Sequence, residues 1–291
     1  MKKILSYCLF EPKFLPKRRE WDAWKDDCRR YWFNLPALAL VNNILYEEYD
    51  TKIYVSPNIW EDELKDILVI LQEELPRFHT ETVDLDYTLT EPAIWRMKCL
   101  WDEGVKIFHT RDLDSLPTEI EYKFTKAFEE SSCTLGTIRS CWPHQGPTCR
   151  MLAGLSSFKP PKIPFSIKNE SFDYYYSMRH DDYGSDQDLM IYFFTQDGRF
   201  TQNNFLDLST VPNHPPPSFP CESETIEALD RISISPPKQQ IFNQNTQRLG
   251  QFWSGEPIDA RPTLVNFLAE TNKNIFHKLE KSAILNKFYL Q

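Results

Sequence analysis

Short apolar segments alternate with amphipathic helical segments along the first half of the chain, and this order limits the folds available to it. Apolar residues at 4–10, 53–55 and 105–109 predict three strands, and the periodicity of residues 60–75 and 118–131 predicts two helices. When strands and helices alternate in this way, the strands pair in a mostly parallel sheet that the helices cover. The sequence therefore predicts the α/β class, with a mostly parallel central sheet flanked by helices.

Proline marks the start of two further predicted helices. Pro36 lies within a run of apolar residues at helical spacing, so a helix is expected to start near it, with Asn34 as the N-cap. A second helix is expected from Pro92 to about Leu100, since proline suits the first helical turn. These two helices complete the alternation of strands and helices.

The chain changes character in its second half. Residues 184–195 predict one more helix, and residues 212–220 contain five prolines, which exclude regular structure there. Residues 263–291 carry apolar positions at helical spacing and predict a long amphipathic helix or a helix pair. We expect a main α/β domain over residues 1–211, and a proline-rich connection with a C-terminal helical extension over residues 212–291 that packs on it.

The glycine content and the charge exclude several classes of ligand-binding protein. The chain has 8 glycines in 291 residues, and none is spaced as G-x-G or G-x-x-x-x-G-K, which excludes a dinucleotide fingerprint and a P-loop. The formal net charge is -9, whereas a general nucleic-acid-binding protein is normally basic, so we expect no nucleic-acid partner. An acidic protein that binds an anionic ligand must supply local positive charge, from clustered arginine and lysine or from a bound cation.

Cysteine usage and hydropathy indicate the compartment. The 7 cysteines are scattered and form no C-x-x-C pair, which is typical of reduced thiols and argues against a zinc knuckle. The apolar start, residues 4–10, meets Glu11 and Pro12 without a small-residue cleavage site. No apolar run approaches the length of about 18 residues that a membrane-spanning helix needs. We therefore expect a cytoplasmic protein without a transmembrane segment.

The strongest motif is Arg111-Asp112-Leu113-Asp114-Ser115, which directly follows a predicted strand. Extended residues two apart point to the same side, so Asp112 and Asp114 can direct both carboxylates to one point beyond the strand end. Two hard oxygen ligands, with the other positions left to water and phosphate, suit Mg²⁺ or Mn²⁺. In the alternative interpretation the segment is a polar turn, in which Asp114 or Ser115 caps the following helix.

A second D-x-D motif competes with the first. Val83-Asp84-Leu85-Asp86-Tyr87-Thr88-Leu89 matches the D-x-D-x-T-L start of haloacid-dehalogenase-like phosphatases, in which Asp84 would be the nucleophile and Asp86 the general acid/base. That motif normally ends a buried apolar strand and opens its domain. Here residues 79–82 are polar and at least two elements come first, so the first D-x-D motif is favoured.

Several segments together resemble a known family. They are Glu91–Met97, Leu100–Glu103, Arg111–Ser115, Ile138–Arg139 and Met151–Gly154, with Tyr31, Asn34 and Pro36 in a Tyr-x-x-Asn-x-Pro pattern and Gly184–Gln187 in a Gly-x-Asp-Gln pattern. Residues 1–195 resemble a group of bacterial and large-virus nucleotide-sugar glycosyltransferases with the GT-A fold, which share the Arg-Asp-x-Asp-Ser motif. The resemblance implies a GT-A-like sheet and a nucleoside-diphosphate sugar as donor.

The resemblance also implies which residues bind the metal ion. Asp112 and Asp114 would hold Mn²⁺ or Mg²⁺ on the donor diphosphate. His214 would complete the metal shell, as a C-terminal histidine does in many enzymes of this fold. The metal ion would supply the local positive charge that the acidic composition lacks.

The remaining implied roles concern the two substrates. On the donor side, Ser6 and Tyr7 would line the nucleotide pocket, and Arg96 and Arg111 would contact the donor. On the acceptor side, Asp186 would be the catalytic base or an acceptor contact, with Gln187 and His144 beside it. The stretch after Gly154 reads Leu155-Ser156-Ser157-Phe158, without the glycine and tryptophan that the family often carries there. The sugar-binding subsite therefore departs from the family pattern.

The sequence thus predicts a metal-dependent glycosyltransferase that moves a sugar from a nucleoside-diphosphate sugar to a glycan or other hydroxyl acceptor. In such a transfer the nucleoside diphosphate departs from an oxocarbenium-like centre, and the metal ion stabilises the charge on the leaving group. Two alternatives stay open. One is a haloacid-dehalogenase-like phosphatase that uses Asp84 and Asp86, and the other is a non-catalytic protein on the same fold.

Overall fold

A computed structural model describes nine stretches of the chain, residues 1–11, 22–88, 91–139, 153–163, 170–179, 185–195, 205–209, 222–243 and 269–281. The strands are β1 Lys2–Leu9, β2 Tyr49–Val55, β3 Phe78–Thr82, β4 Val105–Arg111, β5 Leu135–Arg139, β6 Leu155–Phe158 and β7 Phe205–Ser209. The helices are α1 Asp22–Leu45, α2 Lys65–Glu74, α3 Glu119–Glu130, α4 Phe172–Ser177, α5 Ser185–Thr195, α6 Glu222–Arg231, α7 Pro236–Asn243 and α8 Lys273–Lys281. Three 3-10 helices span Pro57–Glu61, Glu91–Trp101 and Pro160–Lys162.

The seven strands form one mixed sheet in the order β3-β2-β1-β4-β6-β5-β7. β1 is parallel to β2 and to β4, β2 is parallel to β3, and β5 is parallel to β7. Only β6 runs antiparallel to its neighbours, β4 and β5. The predicted α/β fold with a mostly parallel central sheet flanked by helices is confirmed.

Both faces of the sheet are buried, and β1 in its middle contributes to both cores. Leu5 and Tyr7 belong to the core under α1 and α2, whereas Ile4 belongs to the core on the opposite face, as the two-residue period of a strand requires. The second core also contains Trp95 of the 3-10 helix Glu91–Trp101. The central strands therefore carry buried apolar residues on both faces, and the apolar runs of the sequence predict their positions.

The first helix differs from its prediction. α1 runs over Asp22–Leu45 with Pro36 inside it, so the expected start near Pro36 and the N-cap at Asn34 are wrong. A proline in a helix interior costs about 3 kcal/mol, because one hydrogen bond is lost and the ring crowds the preceding turn. Trp32 and Leu35, which precede the proline, are buried in the core, and burial of such side chains offsets this cost.

Two other local predictions concern helices. The helix expected from Pro92 to about Leu100 is present as the 3-10 helix Glu91–Trp101. α3 begins at a capping box, in which Thr118 Oγ1 accepts a hydrogen bond from the Glu121 backbone N–H at 3.2 Å. Glu121 accepts in return from the Thr118 N–H at 2.5 Å, so neither Asp114 nor Ser115 is the cap of this helix.

The described helices of the C-terminal region pack on the main core. Ile275 and Leu279 of α8 are fully buried in the core cluster that also contains the apolar face of α2. Lys278 adds ion pairs to Glu73 at 2.8 Å and to Glu74 at 2.7 Å. The predicted boundary between two domains near residue 211 stays a prediction. Within the described stretches, no helix combines the length and the apolar character that crossing a bilayer requires.

Candidate active site

The Arg111–Ser115 motif lies where the parallel sheet ends at its centre. Arg111 is the last residue of β4 and pairs with Leu155 of β6, one residue beyond the last pair of β4 with β1, Ser6 and Thr110. Ligands of open α/β sheets gather at the carboxyl ends of such strands. Asp112 exposes 52% of its side chain there, whereas Asp114 is buried.

Arg96 is the centre of the polar contacts at this edge. Its Nη1 donates to Asp112 Oδ1 at 2.6 Å and to the Arg111 backbone carbonyl at 3.1 Å. Its Nη2 donates to Asp186 Oδ2. We refer to Arg96, Asp112 and Asp186 as the Arg96 cluster. Three segments far apart in the sequence meet in it, namely the 3-10 helix Glu91–Trp101, the end of β4 and the start of α5.

The Arg96 guanidinium is buried but stays charged. Burial by itself would lower the pKa of Arg96, but the negative charges of Asp112 and Asp186 outweigh it and raise that pKa above its ordinary value. One positive charge faces two negative charges, so the cluster keeps a net negative charge. Such a cluster attracts a cation rather than a bare anion.

Asp186 is held at the first turn of α5 by two contacts. Besides the pair with Arg96, its Oδ1 accepts a hydrogen bond from the Gln187 backbone N–H at 2.9 Å. A carboxylate at the start of a helix is stabilised by the backbone N–H groups there. Asp186 is buried, with 11% of its side chain exposed. The predicted base and the first aspartate of the motif are thus joined through one arginine.

Gly154 lies directly against Asp112, just before β6. A Cβ atom built at Gly154 would lie 2.0 Å from Asp112 Oδ2, which is far closer than real Cβ contacts. The Asp112 carboxylate therefore sits between the Arg96 guanidinium on one side and the Gly154 backbone on the other. The absence of a side chain at residue 154 makes this position of the carboxylate possible.

Two buried side chains hold the backbone and the arginine of the motif in place. No pattern in the sequence indicates these contacts. Glu121 Oε1 pairs with Arg111 Nη1 at 2.9 Å, and both side chains are buried. Asn34 Nδ2 donates to the Leu113 backbone carbonyl at 2.5 Å, which fixes the residue between the two aspartates. In the sequence, Glu121 matches only the Thr-x-x-Glu pattern of a capping box, and Asn34 matches an N-cap before Pro36.

The two residues predicted at the end of β1 differ in placement. Ser6 Oγ donates to the Arg96 backbone carbonyl at 2.7 Å, so it contacts the segment that carries the cluster. Tyr7 points to the opposite face, is fully buried and accepts a hydrogen bond from Asn42 Nδ2 at 2.9 Å. Burial, more than any neighbouring charge, raises the pKa of Tyr7. The structure brings Ser6 to the site and leaves the Tyr7 side chain in the core.

The described residues offer a small donor set for a metal ion. Asp112 presents a half-exposed carboxylate, and Asp114 follows two residues later. In the described part of the chain, no three histidine, cysteine, aspartate or glutamate side chains form a metal-binding group. Asp114 lies in a turn and is buried, so the extended backbone that was expected to direct both carboxylates to one point does not continue past β4. A cation at the half-exposed Asp112 would take most of its ligands from phosphate and water, as Mg²⁺ does. His144 and His214, predicted as acceptor contact and metal ligand, lie outside the described residues.

The competing D-x-D motif lies elsewhere. Asp84 and Asp86 are exposed and follow β3, which is the edge strand of the sheet. The Asp86 backbone carbonyl accepts hydrogen bonds from Tyr176 OH and Arg179 Nη2, both at 3.0 Å. A nucleophile of the phosphatase type is expected at the end of a buried strand, and β3 is only partly buried.

Comparisons with known proteins give little further information. No protein-family model matches the chain, and no curated protein does. Among solved structures, a 4-diphosphocytidyl-2C-methyl-D-erythritol synthase from Anaerococcus prevotii DSM 20548 is 11% identical, with a TM-score of 0.39 over 79% of this chain and 97% of that one. A protein named a nucleotide-diphospho-sugar transferase, from Desulfovibrio desulfuricans G20, is 14% identical, with a TM-score of 0.39 over 96% and 99%. At these scores the likenesses carry no argument about what this chain does.

Proposed function

We propose that this protein is a metal-dependent glycosyltransferase that moves a sugar from a nucleoside-diphosphate sugar to a hydroxyl acceptor. The observation that carries the proposal is the position of the D-x-D motif. Asp112 and Asp114 follow the central strand β4 at its carboxyl end, and the Asp112 carboxylate is half-exposed beside a buried arginine. Position and chemistry both suit the binding of a cation and a diphosphate.

The proposed donor side uses residues at the end of β4 and in the 3-10 helix Glu91–Trp101. Asp112 and Asp114 would hold Mn²⁺ or Mg²⁺, which, when bound, stabilises the negative charge that develops on the departing diphosphate. Arg96 provides a positive charge at the same edge. Ser6 and Arg111 act as supports in this proposal, since each contacts the Arg96 cluster or the base of the motif through a hydrogen bond or an ion pair.

The proposed acceptor side centres on Asp186. An inverting transfer needs a carboxylate that accepts the proton of the acceptor hydroxyl. Asp186 and Asp112 both contact Arg96, so a donor held at Asp112 would have Asp186 beside it. We propose Asp186 for this role, with Gln187 next to it in the first turn.

The first test is thermal unfolding of the full chain with Mn²⁺ and each of UDP, GDP, CDP and dTDP, with EDTA as the metal-free control. A ligand at about 100 times its dissociation constant adds roughly 2.7 kcal/mol of stability, which corresponds to a shift of several degrees. We expect a metal-dependent shift with one nucleotide and its loss in Asp112→Asn. The matched control is Asp84→Asn, which changes the competing motif at an exposed position and should keep the shift.

Two results would overturn the proposal. One is the absence of any shift at millimolar nucleotide and metal in the wild-type protein. The other is a shift of equal size in Asp112→Asn, which would place the ligand elsewhere. Hydrolysis of an aryl phosphate that is lost in Asp84→Asn would favour the phosphatase alternative instead.

A further inference from the structure

We propose that Arg96 competes with the divalent cation for the Asp112 carboxylate, so that the protein binds the metal ion weakly until the guanidinium is released. This inference rests on the proposed function, because it assigns regulation of metal binding to the same site. Arg96 is then a positioning residue that sets the metal affinity.

The first step of the argument is the occupancy of the Asp112 carboxylate. Oδ1 accepts a hydrogen bond from Arg96 Nη1 at 2.6 Å, a length typical of a charge-assisted bond. Oδ2 faces the Gly154 backbone, where a Cβ atom would lie 2.0 Å away. Both oxygens therefore have a protein neighbour, and a cation that takes Oδ1 does so at the expense of Arg96.

The second step is that the described residues use only part of the hydrogen-bonding capacity of Arg96. Its Nε is buried and has no hydrogen-bond partner among the residues that the structure describes. A buried donor without an acceptor costs free energy, and this cost is larger for a charged group. With its Nε unpaired among the described residues, the Arg96 guanidinium can donate to one further hydrogen-bond partner. An oxygen of a diphosphate is an acceptor of the required charge.

The third step is the charge of the cluster. Arg96 faces Asp112 and Asp186, and one of these two negative charges stays uncompensated. Asp186 can keep the guanidinium when Asp112 gives it up, because its contact with Nη2 is separate from that of Asp112 with Nη1. Release from Asp112 therefore does not leave Arg96 without a counter-charge. The Asp112 pair is the exchangeable one.

The test measures binding of Mn²⁺ alone, by the electron paramagnetic resonance signal of free Mn²⁺, with the full chain and no nucleotide. Loss of a charge-assisted hydrogen bond to Asp112 should make Arg96→Gln bind Mn²⁺ about tenfold more tightly than the wild type, or more. Arg96→Lys keeps the charge but not the planar fork, so it should give a smaller increase. Arg96→Lys also provides the test if Arg96→Gln fails to fold.

Two controls separate this effect from a general one. Lys278→Gln removes the same charge from an exposed position on α8 and should leave the Mn²⁺ affinity unchanged. The double variant with Arg96→Gln and Asp112→Asn should lose the gain, because the freed carboxylate is the site of the gain.

The sign of the effect is decisive. A purely structural role of Arg96 predicts weaker Mn²⁺ binding in its variants, since a disordered site binds less. An unchanged or weaker affinity in Arg96→Gln and Arg96→Lys would overturn the inference, as would a gain that survives Asp112→Asn. If the wild type shows no nucleotide-dependent shift but Arg96→Gln gains Mn²⁺ affinity, the proposed function fails and the competition stands. If the nucleotide shift is present and no gain is seen, only the competition fails.

Discussion

At the scale of single residues, the position of the Asp112 carboxylate depends on the absence of a side chain at Gly154. Gly154 leaves room for the Asp112 carboxylate, and a Cβ atom there would lie 2.0 Å from Oδ2. Gly136 on β5 is also tight, but there a Cβ atom would meet the ring of Phe128 at 2.9 Å, in the core. The two glycines thus serve different parts of the molecule.

We expect Gly154→Ala to abolish the metal-dependent nucleotide shift, because the methyl group displaces the Asp112 carboxylate. The half-exposed carboxylate can turn aside, so Gly154→Ala should cost little stability. The control, Gly136→Ala, crowds buried phenylalanine rings and not the site, so it should cost roughly 1–3 kcal/mol of stability and keep the nucleotide shift. Thermal unfolding with and without Mn²⁺ and nucleotide measures both quantities. A nucleotide shift retained in Gly154→Ala would contradict the described packing.

At the scale of elements, the loop that carries the D-x-D motif is held from two helices. α1 holds it through Asn34, which donates to the Leu113 carbonyl at 2.5 Å. α3 holds it through Glu121, which pairs with Arg111 at 2.9 Å and also closes the capping box with Thr118. One carboxylate therefore both starts a helix and fixes the strand end that precedes the motif.

Removal of Glu121 should destabilise the protein far more than removal of the cap alone. Glu121→Ala leaves Arg111 as an uncompensated buried charge, and breaking a buried pair costs about 3–5 kcal/mol. Thr118→Ala removes only the capping hydrogen bond, which is worth about 1 kcal/mol. Urea unfolding of the two variants gives the comparison. Equal losses would mean that the Arg111–Glu121 pair adds little beyond the capping box.

At the scale of the whole molecule, a buried polar chain crosses the core away from the site. His109 on β4 lies 2.6 Å from Ser157 Oγ on β6 and 3.2 Å from Tyr49 OH on β2. Tyr49 OH donates to Glu129 on α3 at 2.5 Å, and Glu129 pairs with Lys3 on β1 at 2.7 Å. These hydrogen-bonded side chains connect four strands and a helix, so their protonation state affects the stability of the entire fold.

This polar chain predicts a loss of stability in mild acid. Burial, and then the charges of Arg111 and nearby lysines, hold the pKa of His109 well below its ordinary value of 6.5. Below pH 6.5 the unfolded chain binds a proton at this residue that the folded protein does not, so stability falls as the pH falls. The slope from this one group approaches about 1.4 kcal/mol per pH unit.

Urea unfolding between pH 7.5 and pH 5 measures this loss. His109→Gln should have a smaller pH dependence than the wild type, because the folding-linked proton is gone. The exposed His277 provides the control, and His277→Gln should keep the wild-type pH dependence. An identical pH dependence in His109→Gln and the wild type would show that the acid sensitivity arises elsewhere.

Several elements of this fold could be predicted from the sequence because their signals are local. The apolar runs at 4–10, 53–55 and 105–109 correspond to β1, β2 and β4, which are internal strands with buried apolar segments. β3, at one edge of the sheet, has polar and partly exposed residues, so no apolar run marks it in the sequence. At Pro36 the local signal is present but the prediction is wrong. Proline favours a helix start, whereas α1 continues through Pro36 because the residues around it are buried.

The α/β class and the presence of two aspartates directly after β4 follow from local sequence, because hydrophobic periodicity and residue spacing are properties of neighbouring residues. Only the tertiary structure decided that Arg96 joins Asp112 to Asp186, since 16 and 90 residues of chain separate these partners. It also decided that Glu121 supports Arg111 and that Gly154 faces Asp112. Such contacts arise where the sheet and its helices bring distant segments together, and no local pattern encodes them.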